Sequence, residues 1–550
     1  MHLPMTVNFP RLVKLLAEHL YPERGVFVRE MIQNAHDSLC RRRAVEPGHR
    51  ARIDVLTGAR TLTFADNGTG LTPDEVRRYL TVFGQSGTDE VRQAMARDGR
   101  RGLEEMIGQF GIGLLSGFLV ADRIVVETRS VKGTSACRWT YDGGSVSTLE
   151  EPIAWEGGAG TRVILMMSRA ADAALPVRDL VVRYADFLPV AIHVDGSPEP
   201  VNAIDAPWHR AHSVEEARMR DYGRFLGRRF SDVPLELVPV DVASPYRVQG
   251  VLYISDRRIP DAASGGAVDV YCKRMLVAAG DTGVLPPWAS FVRGVIDSPD
   301  ITITASRCAV QRGTRETEGI RAILSRALLE HLEALAGRDP ALFGRILRWH
   351  HYHVRRMALE HDEFFDAIAH LVPFECNRGA DGLMNLETYL ADGRATVHYF
   401  TEFGAAAQYN ELCGARDLVV LNASYAHDEA FLKKFAARRP GVALRRLSDP
   451  LLFEPVADAS KYGALCRELA AAVESLAGLN AGNPLIERLA AAVPADDLAG
   501  VLVAVFSNAT LLSSQLHGER TLRTMHRLTN RLIEQVLSQR EALRSRGDAA

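Results

Sequence analysis

One segment constrains this chain more than any other: VFVREMIQNAHDSLC, residues 26–40. Val28, Ile32, Ala35 and Leu39 recur at i, i+4, i+7 and i+11, the spacing of a single buried helical face. Glu30, Asn34 and Asp37 stand at i, i+4 and i+7 on another face of the same helix. An acid and an amide one turn apart suit a magnesium–nucleotide site. The amide oxygen can ligate Mg²⁺, which prefers hard oxygen donors, and the acid can orient or deprotonate a water. Read alone, the segment is also an ordinary amphipathic helix with a polar outer face.

Three further pieces follow in order. Residues 53–64 read as a hairpin, IDVL and TLTF joined by a TGAR turn. It leads into Asp66-Asn67-Gly68-Thr69-Gly70. A carboxylate at a strand end beside two glycines can accept from an adenine amino group while the backbone approaches the ring, although the same residues also make a simple Asx turn. Thr72-Pro73-Asp74-Glu75 is a capping box with proline at the first helical position, so a helix starts there. Next, GQFGIGLLSGFLVAD (108–122) places Gly108, Gly111 and Gly113 ahead of an apolar helical run, where free backbone N–H groups form an anion site. The polar stretch from Gly84 to Gly108 suits a mobile lid. Further strands are expected at 123–128 and 162–167, the second opening at Gly160-Thr161.

Composition removes the commonest alternative. Only six of the 65 basic residues are lysine (Lys14, Lys132, Lys273, Lys433, Lys434 and Lys461), and none precedes Ser or Thr. The G-x-x-x-x-G-K-[ST] phosphate loop is therefore absent, and no lysine lies between Lys14 and Lys132. A net charge of -3 argues against a globally basic nucleic-acid binder. Seven scattered cysteines without a C-x-x-C pair read as reduced thiols. The N-terminal residues lack the apolar core of a signal peptide. The longest apolar stretch, near Gly500 to Phe506, is far short of the ~20 residues of a membrane span, so a cytoplasmic protein outside the membrane is expected.

Three regions are expected in an α/β (α+β) chain: an alternating α/β region over 1–195 that holds these pieces, an α/β middle domain over 208–455, and a small, mainly helical domain over 456–550. GSPEPVNAIDAP (196–207) reads as the linker between the first two. In the middle region VQGVLYI, VDVYCKRMLV and DLVVL read as strands. Leu522, Met525, Leu528, Leu532 and Val536 step by three or four along a C-terminal helix, an apolar face for intradomain core or for a second subunit.

The order of the pieces carries a resemblance. E-x-x-x-N-x-x-D, then D-x-G-x-G, then G-x-x-G-x-G before a helix, then G-T, resembles the GHKL ATPases, whose nucleotide fold is called the Bergerat fold. VFVREMIQNAHDSL, SGT at 86–88 and IGQFGIGLLSGFLVAD look like the bacterial HtpG branch of the ninety-kilodalton heat-shock chaperones. The likeness continues through Ala206-Pro207-Trp208-His209, GVLYI, VYCKRMLV and LPPWASFVRGVIDSPDITITASRCAVQ, and thins after residue 455.

The resemblance implies an ATP-dependent chaperone with ATP and Mg²⁺ as cofactors, acting as a homodimeric clamp on non-native client proteins. It implies Glu30 as general base, Asn34 as magnesium ligand, Asp66 as acceptor of the adenine amino group, and Gly70 and Thr161 beside the base. Asp37 joins the nucleotide-binding set. Gln109, Phe110, Gly111, Ile112, Gly113 and Leu114 would wrap the phosphates, and Arg307, with Gln311 four residues on, would reach the γ-phosphate from the middle domain. Dimerisation is expected through the C-terminal region. No nucleic acid or membrane partner is expected, and the ending RSRGDAA leaves no acidic tail for tetratricopeptide co-chaperones. The chain departs from the family at Gln85, where relatives often carry lysine, at Cys308 and at Leu114.

Other readings are a DNA-linked GHKL enzyme of the MutL type, a histidine kinase, and a nucleotide-gated binding module with little hydrolysis. The first needs a basic channel and the second a phosphoacceptor helix, and neither is found. His350, His351 and His353 lack the i, i+4 spacing of a helical metal site and read as a structural or solvated cluster. Cys308 reads as a small packed thiol, with redox sensitivity of the ATPase as the alternative.

Overall fold

A computed structural model describes residues 23–81, 106, 113–168, 175–256, 266–304, 308–378, 382–391, 393–404, 406–414 and 417–447. The expected helix at 522–536 lies outside these residues. The chain divides into two compact units, one up to Leu335 and the other from Ala336.

The first unit begins with helix α1 (Val26–Val45). The hairpin β1 (Arg52–Thr57) and β2 (Thr61–Asp66) follows as expected, pairing antiparallel with Val55 opposite Phe64. Helix α2 (Pro73–Tyr79) starts on the expected capping box: the Thr72 hydroxyl accepts from Glu75 N–H, and the Glu75 carboxylate accepts from Thr72 N–H. Strands β3 (Ala121–Arg129), β4 (Ala136–Tyr141), β5 (Thr148–Glu150) and β6 (Gly160–Met167) come next, then helix α3 (Val177–Ala185) and strand β7 (Ala191–Val194). The strands form one seven-stranded sheet in the order β5-β4-β3-β6-β2-β1-β7, antiparallel throughout except for the β1–β7 pair. One apolar core joins α1 (Phe27, Val28, Met31, Ile32, Leu39) to Ile53, Phe64, Ile124 and Leu165 of the sheet. Phe27 meets Phe64 edge to face at 6.4 Å.

After helix α4 (Glu215–Phe230), strands β8 (Pro234–Val242), β9 (Val248–Ser255), β10 (Val268–Cys272), β11 (Met275–Asp281) and β12 (Val292–Asp297) make a second sheet in the order β11-β10-β12-β9-β8. Helix α5 (Arg315–Arg338) follows. VDVYCKRMLV, expected as one strand, is a hairpin. Lys273 and Arg274 turn it with φ of +52° and +67°, both non-glycine residues in the left-handed region. The buried Asp297 carboxylate accepts from Arg274 N–H, and Lys273 Nζ donates to the Met106 carbonyl at 2.8 Å. Long-range partners hold a turn whose own residue types do not announce it.

Residues 196–207 are well anchored. The Asn202 side chain donates to the carbonyls of Leu188 and Val190 and accepts from Ile192 N–H. Ala206 and Trp208 are buried in a cluster with Tyr184, Phe187, Tyr222, Tyr253 and Tyr271. The Phe187 ring lies 4.9 Å from Tyr271 and 5.4 Å from Trp208. This aromatic cluster carries the second sheet against the elements that hold the first.

The second unit holds helices α6 (Pro340–Trp349), α7 (His351–Glu360) and α8 (Asp362–Ile368), a small hairpin of β13 (Pro373–Glu375) and β14 (Leu383–Asn385), and helix α9 (Leu386–Ala391). Strand β15 (Thr396–Phe400), helix α10 (Ala406–Gly414), strand β16 (Val420–Asn422), helix α11 (Asp428–Arg438) and strand β17 (Ala443–Arg446) complete it, with a parallel sheet in the order β16-β15-β17. The DLVVL segment supplies β16. Arg355 and Asp428 form a buried ion pair, and His351 Nε2 lies 3.3 Å from the same carboxylate. His350 and His353 are buried. Among the described residues no group of three or more His, Cys, Asp or Glu is arranged to hold a metal ion, and no helix is long and apolar enough to cross a membrane.

Candidate active site

Helix α1 lies against the sheet so closely that its second face is buried too. From Val26 to Cys40 every residue is buried except Asn34. The polar outer face that an isolated helix would present is therefore not there. Glu30, Asn34 and Ser38 form one stripe at i, i+4 and i+8, spanning roughly 12 Å at 1.5 Å per residue. Each end of the stripe meets a different glycine turn.

At the first end, Glu30 Oε1 accepts from Arg29 Nη2 at 2.8 Å and from Arg29 Nε at 3.2 Å. Gly113 packs close to the same carboxylate: a β-carbon there would stand 2.6 Å from Glu30 Oε2, so a side chain at 113 would have to displace that oxygen. Gly113–Leu119 is a short 3₁₀ turn rather than the expected α-helix, and Ser116 Oγ donates back to the Gly113 carbonyl at 2.6 Å. Leu114 packs at the edge of the core.

At the other end, Ser38 Oγ donates to Asp66 Oδ1 at 3.0 Å, and Gly68 N–H donates to the same oxygen at 2.8 Å. Dense protein around the Asp66 carboxyl pushes its pKa up to about 6, while these two donors and the charge of Arg41 pull the other way. Pairing sets Asp66 opposite Thr161, and Thr161 opposite Thr128. The Thr128 hydroxyl lies 3.1 Å from that of Thr161 and accepts from Leu71 N–H at 2.9 Å. Gly70 closes the turn at φ +59°; a β-carbon there would lie 2.0 Å from the Arg129 carbonyl oxygen. Asp66 and Gly70, four residues apart, thus share one small region with Ser38, Thr128 and Thr161, which are distant in sequence.

Asp37 is placed differently. It is buried, with Oδ1 3.8 Å from His36 Nδ1. Burial opposes a charge on His36, but Asp37 and Cys40 outweigh it and raise the imidazole pKa to about 9.

The loop expected to carry the catalytic arginine is anchored inside the first unit. Ile303 and Val310 form an antiparallel bridge, Thr304 N–H donates to the Ala309 carbonyl, and Gln311 N–H donates to the Thr302 carbonyl. The Gln311 side chain is exposed. Cys308 Sγ, partly buried, lies 3.7 Å from Arg29 Nη2, the group paired with Glu30. Gln85, Gln109, Phe110, Gly111, Ile112 and Arg307 lie outside the described residues.

Ser38, Thr128 and Arg29 were missed by the sequence reading. Ser38 had a signal, since it continues the Glu30–Asn34 stripe by one further turn. Arg29 and Thr128 had none, because their partners are set by strand register and by a loop some 280 residues away.

Two family models match. Residues 25–153 match the histidine kinase-, DNA gyrase B- and HSP90-like ATPase, and residues 194–408 match the Hsp90 protein. Chaperone protein HtpG of Rhodococcus jostii (strain RHA1) is 28% identical over 491 residues, 80% of this chain and 72% of that protein. HtpG of Streptomyces coelicolor is 27% identical, covering 78% of this chain and 73% of that protein. Mitochondrial heat shock protein 75 kDa of Bos taurus is 28% identical over 71% of this chain, which spans only 58% of that relative's length. A helix, strand end and glycine turns are arranged around one stripe, and both models fall in order along the chain: it carries a histidine kinase-, DNA gyrase B- and HSP90-like ATPase region followed by an Hsp90-protein region, the order expected of an ATP-dependent chaperone similar to HtpG.

Proposed function

We propose that this chain hydrolyses ATP at the α1 stripe and couples that hydrolysis to a clamp cycle on non-native client proteins. Asp66 accepts from the adenine amino group, with Gly70 and Thr161 beside the base. Residues 109–114 wrap the phosphates through backbone N–H groups. Glu30 takes a proton from the attacking water. Asp37, buried beside His36, completes the nucleotide-binding set on the same helix.

The residues present fit Mg²⁺. Asn34 offers an exposed amide oxygen one turn from Glu30, and Mg²⁺ commonly takes its remaining ligands from phosphate and water. When bound, the ion supplies charge to the phosphates, which no lysine between Lys14 and Lys132 can do.

Arg307 completes the site from the middle region, with Gln311 on the returning arm of its loop. The observation that carries this reading is the contact of Cys308 with Arg29, because it brings the neighbour of Arg307 to the helix that holds Glu30. A planar guanidinium there meets charge developing on the γ-phosphate. The working assembly is a homodimer of three domains, 1–195, 208–455 and 456–550, joined through the last, in the cytoplasm. Arg307→Ala is the test. It should slow steady-state hydrolysis by about 10²-fold or more while leaving ATP affinity by titration calorimetry close to the parent. Loss of ATP binding, or unchanged turnover, overturns the assignment of Arg307.

A further inference from the structure

The Asp66 carboxylate is asymmetric. Oδ1 takes both the Ser38 hydroxyl at 3.0 Å and the Gly68 amide at 2.8 Å, which fills its two lone pairs. Among the described residues no donor is paired with Oδ2. Ser38 itself is buried, and the same turn is tied to its carbonyl by Thr69 N–H at 3.4 Å. Helix α1 and the end of β2 are thus joined at this one carboxylate.

We propose that Ser38 is a positioning residue for nucleobase choice. Its hydroxyl, with the Gly68 amide, fixes Oδ1 of Asp66 and leaves Oδ2 as the acceptor presented to the base, so that the site takes a purine with a 6-amino group and refuses one with a 6-oxo group. The inference rests on Asp66 as the base acceptor. A 6-oxo purine would set its own acceptor against a carboxylate oxygen, leaving two buried acceptors without a proton between them.

The two donors do more than aim the group. Hydrogen bonds to a carboxylate favour its ionised form, against the surrounding protein, which favours the neutral acid. Among the described residues the charge acting on it is that of Arg41, one turn past Ser38 on α1, while Ile53 and Thr161 stand opposite it on the neighbouring strands. A protonated Asp66 presents an O–H instead of a lone pair, which suits a 6-oxo purine and not adenine. Ser38 therefore holds the site in its adenine-reading state.

The test measures ATP and ITP affinity by calorimetry from pH 5 to pH 8 on the full-length chain. The parent should prefer ATP, and the preference should fall as pH drops through about 6. Ser38→Ala should lower the ATP-over-ITP ratio about tenfold at pH 7, the scale of a hydrogen bond to a charged group, and move the midpoint of that fall upward by about one pH unit. If Ser38→Ala folds poorly, Ser38→Thr and Ser38→Val carry the same comparison, being alike in shape and differing in the hydroxyl. Thr should keep the parent midpoint and Val should lose it. Asp66→Asn separates the two levels of the inference. If Asp66→Asn loses ATP binding while the Ser38 variants keep the parent ratio and midpoint, Ser38 has no positioning role and Asp66 remains the base acceptor. If Asp66→Asn binds ATP with the parent's affinity and selectivity, the acceptor assignment itself is wrong.

Discussion

Arg29 and Glu30, adjacent on α1, form a buried ion pair, Nη2 to Oε1 at 2.8 Å, with each side chain 3% exposed. Neighbours on a helix normally point apart. Here Arg29 folds back and touches Cys308 as well. Burial works against the Arg29 charge, but Glu30 and Cys308 outweigh it and hold the guanidinium above its ordinary pKa. One oxygen of Glu30 is thus held by Arg29, and the other faces Gly113. The proposed base is thus positioned between a fixed cation and the start of the Gly113 turn.

Glu30→Gln preserves the shape of this arrangement and removes the base. The variant should bind ATP with near-parent affinity and turn it over about 10²-fold more slowly. Calorimetry and steady-state ATPase give the two quantities. Parent-like turnover would remove Glu30 from the mechanism. Gln is preferred to Ala because it keeps a side-chain oxygen within reach of the Arg29 guanidinium, which Ala removes.

Asp66→Asn should raise the stability of the nucleotide-free protein, and by an amount that depends on pH. The folded pKa is raised to about 6 from an ordinary value of 3.8, so the folded state binds its proton more tightly. The parent therefore loses stability as pH rises from about 4 to about 6, and the loss is complete above that. Asn carries no such charge. The difference in Tm between variant and parent should be smallest near pH 4, grow to about pH 6 and then level off. A difference that stays constant with pH would mean that the Asp66 charge is not opposed by its surroundings.

Gly70→Ala combines a left-handed backbone, φ +59°, with a β-carbon 2.0 Å from a backbone oxygen that no rotamer change can move. The expected destabilisation is roughly 3 kcal/mol or more, with loss of ATP binding, by urea denaturation and calorimetry. Gly48→Ala is the control: a β-carbon there meets nothing within 4 Å, and the change should stay within about 0.5 kcal/mol. Equal effects of the two substitutions would show that the Gly70 turn is not strained by a side chain.

Much of the fold near the site was legible because it is written locally. Apolar periodicity placed α1, the TGAR turn placed the β1–β2 hairpin, and Thr72 with Glu75 marked the start of α2. The Lys273–Arg274 turn was not legible, because neither residue favours positive φ and the support comes from Asp297, over twenty residues on. Residues 196–207 read as a linker by composition, yet Asn202 ties them into the backbone of 188–192. Composition reports what a segment tolerates, and long-range hydrogen bonds decide where it sits.

From the sequence by itself came the residue types and their spacing: an acid, an amide and a second acid at i, i+4 and i+7 on one helix, a carboxylate at a strand end, glycines where backbones must approach, and no lysine among them. These are local or additive properties, readable one segment at a time. Only the tertiary structure decided that α1 is buried from Val26 to Cys40 at every residue but Asn34, that Glu30 is clamped by its own neighbour, and that Ser38 and Gly68 converge on one oxygen of Asp66. Burial and strand register depend on which distant segments pack together, and no spacing within a segment contains that information.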